Sequence, residues 1–326
     1  MKKLSLVLVA VVMCFLAVSA ALAAPKIEQI SNIGDANDYV VGPGKYYLFM
    51  DPGQTVTKNV EITNRFKTET KFKLELEDFR GTTDGASPLE FMGLLAGPYS
   101  LKDYLHPEVM EFKLQPGDRI TVPVTVSIPK DAVPGGLYGS VIATTQDEPQ
   151  EAEVPPGKTK GQLPLISRVA VLYFVRVNGP VKEEGSLKDF RTDKKIYWST
   201  KNPIGFSYSF SNTGNVYLNP AGDLEIKNLY GSVVDRITVD ASYVLPDSIR
   251  INNLKWDKGF SMGRYTAKLT FKRGYLGSPD QIDVKTVTFW VIPWIYIVIF
   301  LVGLLILIAI IQGIRNWFKK NFERRK

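Results

Sequence analysis

Residues 114–129 read LQPGDRITVPVTVSIP. Ile120, Val122, Val124, Val126 and Ile128 alternate with Thr121, Pro123, Thr125 and Ser127. Alternation at period two puts the apolar set on one face of an extended chain and the polar set on the other. Gln115-Pro116-Gly117-Asp118 is a turn signal, because proline presets φ and glycine accepts the left-handed backbone that tight turns need. The stretch predicts a half-buried β-strand entered through a tight turn.

The same pattern recurs on either side. In residues 71–78, Phe72, Leu74 and Leu76 alternate with Lys71, Lys73, Glu75 and Glu77. Asp51-Pro52-Gly53-Gln54 and Pro134-Gly135-Gly136 mark further turns. A second set follows Asn178-Gly179-Pro180. It contains Ile204, Phe206, Tyr208 and Phe210 before Asn212-Thr213-Gly214-Asn215, then Leu224 and Ile226, then Tyr265, Ala267, Leu269 and Phe271. Short strands at this spacing, with no long amphipathic helix among them, predict an all-β fold of two sandwich domains, 24–180 and 181–290.

Two stretches of the first domain depart from the pattern. Residues 81–108 form a longer connection than a sandwich needs and carry Phe91, Leu94, Leu95, Tyr99 and Tyr104. Residues 146–164 are proline-rich and polar, and read as a mobile extended loop. In residues 167–177, Val169, Val171, Tyr173, Val175 and Val177 share one face while Ala170, Leu172 and Phe174 share the other. A strand apolar on both faces is either central and covered twice, or offers its second face or edge to a partner by strand addition.

The ends of the chain predict its location. Lys2 and Lys3 precede an apolar run that ends in Ala21-Leu22-Ala23, the pattern of a cleaved signal peptide over 1–23. An uncleaved N-terminal anchor is the alternative. Cys14, the only cysteine, lies within that run, so the mature chain is expected to hold no disulfide. Residues 291–314 are uncharged and apolar all round, enough to span a bilayer that takes about 20 residues. Trp290, Trp294 and Tyr296 flank one side of this run, and Trp317 and Phe318 the other, as interfacial aromatic belts do. Residues 315–326 form a basic tail, which the positive-inside rule places in the cytoplasm. The expectation is a single-pass membrane protein with its N-terminal part outside the cell.

The formal charge of +7 divides into two positive charges on the signal and five net on the tail, leaving none between them. That excludes a general electrostatic footprint for nucleic acid. Catalytic chemistry finds little support. His106 is the only histidine, and the chain lacks a usual zinc ligand set, a G-x-S-x-G motif, a P-loop and a G-x-G-x-x-G between strand and helix, so no cofactor is expected. Glu75, Glu77 and Asp78 could serve a glycan hydrolase, but Glu75 and Glu77 lie on the polar side of a strand whose other side is apolar.

Leu114-Gln115-Pro116-Gly117-Asp118, the strand to Ile128-Pro129, and Gly136-Leu137-Tyr138-Gly139 resemble the N-terminal Ig-like domain of bacterial WxL-interacting surface proteins. The order of signal, two Ig-like domains, membrane helix and basic tail is similar too. Phe210-Ser211-Asn212-Thr213-Gly214-Asn215 and Gly263-Arg264-Tyr265-Thr266-Ala267 also resemble Ig-like domains appended to surface glycosidases. The first resemblance implies a non-enzymatic cell-surface protein that binds cell-wall polymer or other surface proteins. The alternative is a membrane-tethered, chaperone-like assembly factor for secreted or pilus subunits. The partner surface is expected on the first domain, at Phe91, Leu94, Leu95, Tyr99 and Tyr104, helped by Leu172 and Phe174 on the exposed side of the 169–177 strand. The alternative for the same side chains is a small satellite core over the sheet.

Overall fold

The computed structural model describes residues 24–31, 36–146, 167–200, 202–257 and 261–322. The signal at 1–23, nearly all of the 146–164 loop and the last four residues of the tail lie outside them. The described chain divides into two compact units. Unit 1 runs to Phe79 and from Phe91 to Pro180; unit 2 comprises Arg80–Glu90 and everything from Val181 on. The connection 81–108, expected as an insertion of the first domain alone, is thus split between the two.

Unit 1 contains β1 (Lys26–Gln29), β2 (Tyr39–Gly42), β3 (Lys45–Met50), β4 (Thr55–Asn64) and, apart from Arg80 and Glu90, β5 (Thr70–Arg80) and β6 (Glu90–Phe91). It continues with β7 (Leu105–Pro107), β8 (Glu111–Leu114), β9 (Asp118–Ser127), β10 (Gly135–Thr145) and β11 (Arg168–Val177). One sheet has the order β1-β9-β4-β2, with β7 also on β9; the other has the order β3-β11-β10-β5-β6, with β8 also on β5. The alternating residues of β9 pack against Phe72 and Leu74 of β5, Val141 and Ala143 of β10, and Val171, Tyr173, Val175 and Val177 of β11 in one core. Period-two alternation on both sheets supplies most of that core, and Leu101, Tyr104 and Leu105 of the connection between β6 and β8 add to it.

A proline inside a central strand normally argues against the strand, because it cannot donate to the ladder. Pro123 is accommodated in β9 by a gap. Its carbonyl accepts a hydrogen bond from Glu108 N at 3.0 Å, so its nitrogen faces the same edge, away from β4. On that edge β1 covers positions 118–121 and β7 covers 124–126. Pro123 falls between the two, where no ladder donor is needed.

Unit 2 contains β12 (Gly185–Thr192), β13 (Ile196–Tyr197), β14 (Ile204–Asn212), β15 (Ala221–Lys227) and β16 (Val233–Val239). It ends with β17 (Ser248–Trp256), β18 (Gly263–Lys272), β19 (Ile282–Val291) and helix α1 (Trp294–Phe322). The sheets β12-β14-β17 and β13-β19-β18-β15-β16 enclose a core rich in aromatic rings, including Phe206, Tyr208, Phe210, Trp256, Phe271 and Phe289. The apolar helix, expected at 291–314, begins three residues later and continues into the basic segment. Val291 is the last residue of β19, paired with Gly263. Pro293 disfavours a helical Ile292 and sets the φ with which the helix opens at Trp294. Within α1, residues Trp294–Phe318 form a stretch long and apolar enough to cross a membrane.

Candidate functional site

One buried carboxylate makes the largest share of the bonds that hold the segment after β5. Asp78 continues the apolar face of β5, where Phe72 and Leu74 are core residues, and it is only 1% exposed. Its Oδ1 accepts hydrogen bonds from Leu101 N and Lys102 N at 2.9 Å, and its Oδ2 accepts one from Gly97 N at 3.3 Å. Its carbonyl accepts one from Met92 N at 2.9 Å. An ionised acceptor makes such bonds roughly twice as strong as neutral ones. Nearby, Glu77 Oε2 accepts from Gly93 N at 3.2 Å, and Lys102 Nζ donates to Leu94 O at 2.6 Å. Where the loop crosses the sheet the backbones nearly touch. A Cβ on Gly139, which pairs with Asp78 across the ladder, would come within 3.0 Å of Leu101 Cβ and 3.1 Å of Lys102 N. Sequence reasoning placed Asp78 with the strand carboxylates and missed this role. The available signal was a charged residue at a position the alternation reserves for an apolar one.

The loop divides the candidate residues by environment. Leu101 and Leu105 are buried in the core of unit 1, and Tyr104 packs against it. Phe91 meets Phe79 edge-on at 6.5 Å between ring centroids, and Tyr99 meets Tyr138 at 6.0 Å. Phe79, Tyr138 and Phe174 contact one another at 5.2–5.9 Å, and Tyr47 lies on Phe174 at 5.0 Å. Phe174, expected on an exposed strand face, is therefore fully buried. The aromatic layer over β5, β10 and β11 shields it, and Leu172 is partly buried beside it. Tyr99 and Tyr104 likewise spend their rings on packing. Only the tip remains open: Leu94 is 98% and Leu95 70% exposed, with Phe91 partly exposed beneath.

Farther along the same sheet face, Arg168 Nη2 reaches Glu75 Oε2 at 3.2 Å and makes a closer ion pair with Glu77. The hydrogen bond that Arg168 donates to Glu77, and then the charges of Glu77 and Glu75, raise the Arg168 guanidinium further above its already high range against the opposing effect of burial. Ile142, whose ladder partners are Glu75 and Ala170, is buried. The three carboxylates considered for catalysis are thus tied to an arginine or to backbone amides. His106 sits exposed in β7, opposite Thr125. Among the described residues no three His, Cys, Asp or Glu side chains are grouped to hold a metal.

The strand edge is the second open feature. β3 joins β11 in parallel only from Leu172, opposite Lys45. Among the described residues, positions 168–171 have β10 on one side and no strand on the other. β3 itself ends the sheet, with Tyr47 and Phe49 both exposed.

No family model matches the chain, and no curated protein does. Among solved structures it is similar to the class 5 fimbriae chaperone CfaA, at 12% identity over 76% of this chain and 98% of that one, with a TM-score of 0.37. It is similar to the CsuC–CsuE chaperone–tip subunit pre-assembly complex of Acinetobacter baumannii at 10% identity, 78% and 99% coverage and a TM-score of 0.34. The Pseudomonas aeruginosa CupB2 chaperone gives 10% identity, 77% and 100% coverage and a TM-score of 0.33. At such identities and scores, nothing those proteins do passes to this chain.

Proposed function

We propose that this chain is a membrane-anchored, non-enzymatic binding protein of the cell surface, with two Ig-like sandwich domains outside the bilayer. On this reading unit 1 contacts another surface protein through the tip formed by Leu94 and Leu95. The observation that carries the proposal is the contrast between the tip and its base. Two leucines stand in solvent on a loop fixed by Asp78, Glu77 and Lys102. An exposed leucine alone is ordinary, but a preorganised apolar projection loses little further entropy when a partner closes over it. A protein partner suits aliphatic anchors, and it is one of the two partner classes that the resemblance to WxL-interacting proteins implies. The test compares the parent ectodomain with L94A/L95A as bait in native envelopes. Each leucine is expected to contribute about 1 kcal/mol or more to binding, so capture by the double variant falls while Tm stays in place. Equal capture of the same partners by both forms overturns the proposal.

A second reading is favoured by the strand edge. An assembly factor that holds a secreted subunit needs an open edge beside apolar side chains, and positions 168–171 with Tyr47 and Phe49 of β3 supply one. Leu172 N faces the β3 side, where it donates to Gly44 O, so two residues earlier Ala170 N faces the same open edge, and Ala170→Pro removes a backbone donor there. A loss of capture with A170P, but not with L94A/L95A, selects this reading over the first.

A further inference from the structure

We propose that the end of unit 2 from which α1 leaves is seated in the headgroup layer of the bilayer that α1 spans; this rests on the membrane-spanning reading of that helix. The ladders bring a set of exposed apolar side chains to this one end. Gly263 pairs with Val291, so Met262 lies one residue beyond the last rung of β18 and β19. Lys227 pairs with Thr266, and the turn at 228–232, closed by Asn228 N to Ser232 O at 3.0 Å, carries Leu229 and Tyr230 at the same end. β13 runs parallel to the end of β19, with Tyr197 opposite Val291, so Trp198 follows there too. Leu229, Tyr230 and Met262 line a common cleft. Tyr230 is 89% exposed, and Leu229, Met262, Trp198 and Trp294 are each more than half exposed.

The geometry of the helix sets the depth. Ile292 N donates to Tyr197 O at 2.8 Å and Trp294 N to Trp198 O at 3.2 Å, so the first turn is fastened to the sheet and no flexible linker intervenes. The apolar stretch Trp294–Phe318 has 25 residues. At 1.5 Å per residue it is about 37 Å long, against a hydrocarbon core of about 30 Å. Its first turn therefore lies at the level of the headgroups, and so does the end of unit 2 fastened to it. Tyrosine and tryptophan favour that layer because their rings are apolar and their N–H or O–H remains wet. Lys194, Lys195 and Arg264, all exposed, stand among these side chains and suit anionic headgroups.

The test uses the full chain, with Cys14→Ser, reconstituted in phosphatidylcholine–phosphatidylglycerol vesicles. Single cysteines at Tyr230→Cys, Met262→Cys and Leu305→Cys carry an environment-sensitive fluorophore, and the lipids carry nitroxides at shallow or deep acyl positions. The expected result is blue-shifted emission at 230 and 262 with loss to the shallow nitroxide, and loss to the deep nitroxide at 305. Quenching at 305 with water-like emission at 230 and 262 overturns the seated face and leaves the spanning helix standing. Blue-shifted emission at 230 and 262 without lipid quenching assigns the patch to a second copy of the chain and also overturns it. No quenching at 305 removes the spanning helix and this inference with it.

Discussion

At the residue scale, polar groups inside the two cores decide more than their number suggests. Asn64 at the end of β4 donates to Thr68 O and Leu114 O, and its Oδ1 accepts from Phe66 N. Asn212 at the end of β14 repeats the arrangement, donating to Val216 O and Val244 O and accepting from Gly214 N. Each amide stands in for a missing strand neighbour at the point where the chain turns. Asn212→Ala leaves two buried carbonyls and one amide without this partner and is expected to lower stability by about 1–3 kcal/mol, read from urea unfolding. Asp78→Ala is expected to lose about 2–4 kcal/mol, since charge-assisted bonds are the strong ones; new proteolytic cuts within 92–102 would report the released loop. Tyr173 behaves oppositely. Its hydroxyl is buried in the core of unit 1 with no hydrogen-bond partner among the described residues, and burial, then the neighbouring Tyr46, push its phenol pKa upward. Tyr173→Phe removes an unpaired polar atom at nearly constant volume and should raise the urea midpoint, by about 1 kcal/mol in stability.

At the element scale, alternation proved a dependable guide to strands and a poor one to their surroundings. β5, β9, β14 and β18 were legible from their apolar residues alone. β11 was legible as a strand apolar on both faces, but its sequence carries no mark of what covers each face. Phe174 and Leu94 are both apolar; one is buried because Phe79, Tyr138 and Tyr47 arrive from β5, β10 and β3, whereas the side chain of the other stays exposed among the described residues. The helix boundary shifted for a local reason, since Val291 still belongs to a ladder and Pro293 begins the change of backbone. The apolar character of α1 can be tested directly. Leu305→Arg places a charge near its middle and should weaken membrane insertion by about 2.5–3.5 kcal/mol, read as loss of carbonate-resistant membrane association. Unchanged association would contradict a spanning role.

At the scale of the whole molecule, stability comes from burial. The chain has one cysteine, Cys14, outside the described residues, and the two cores are closed by aliphatic and aromatic side chains. The unfolding midpoint of the full chain in detergent is therefore expected not to move on adding a reductant, and a shift would show that a disulfide contributes. The division between sequence and structure follows from the range of the forces involved. Backbone alternation, turn chemistry and the length of an apolar run act between near neighbours, so the sequence by itself determined the strand class, the existence of two strand sets and the apolar helix. Which side chains remain open to a partner is a long-range matter. Asp78 meets the amides of Leu101 and Lys102 across more than twenty residues, and Phe174 is covered from three other strands. Only the tertiary structure could therefore separate Leu94 and Leu95, which are exposed among the described residues, from Tyr99, Tyr104 and Phe174, which are occupied in packing.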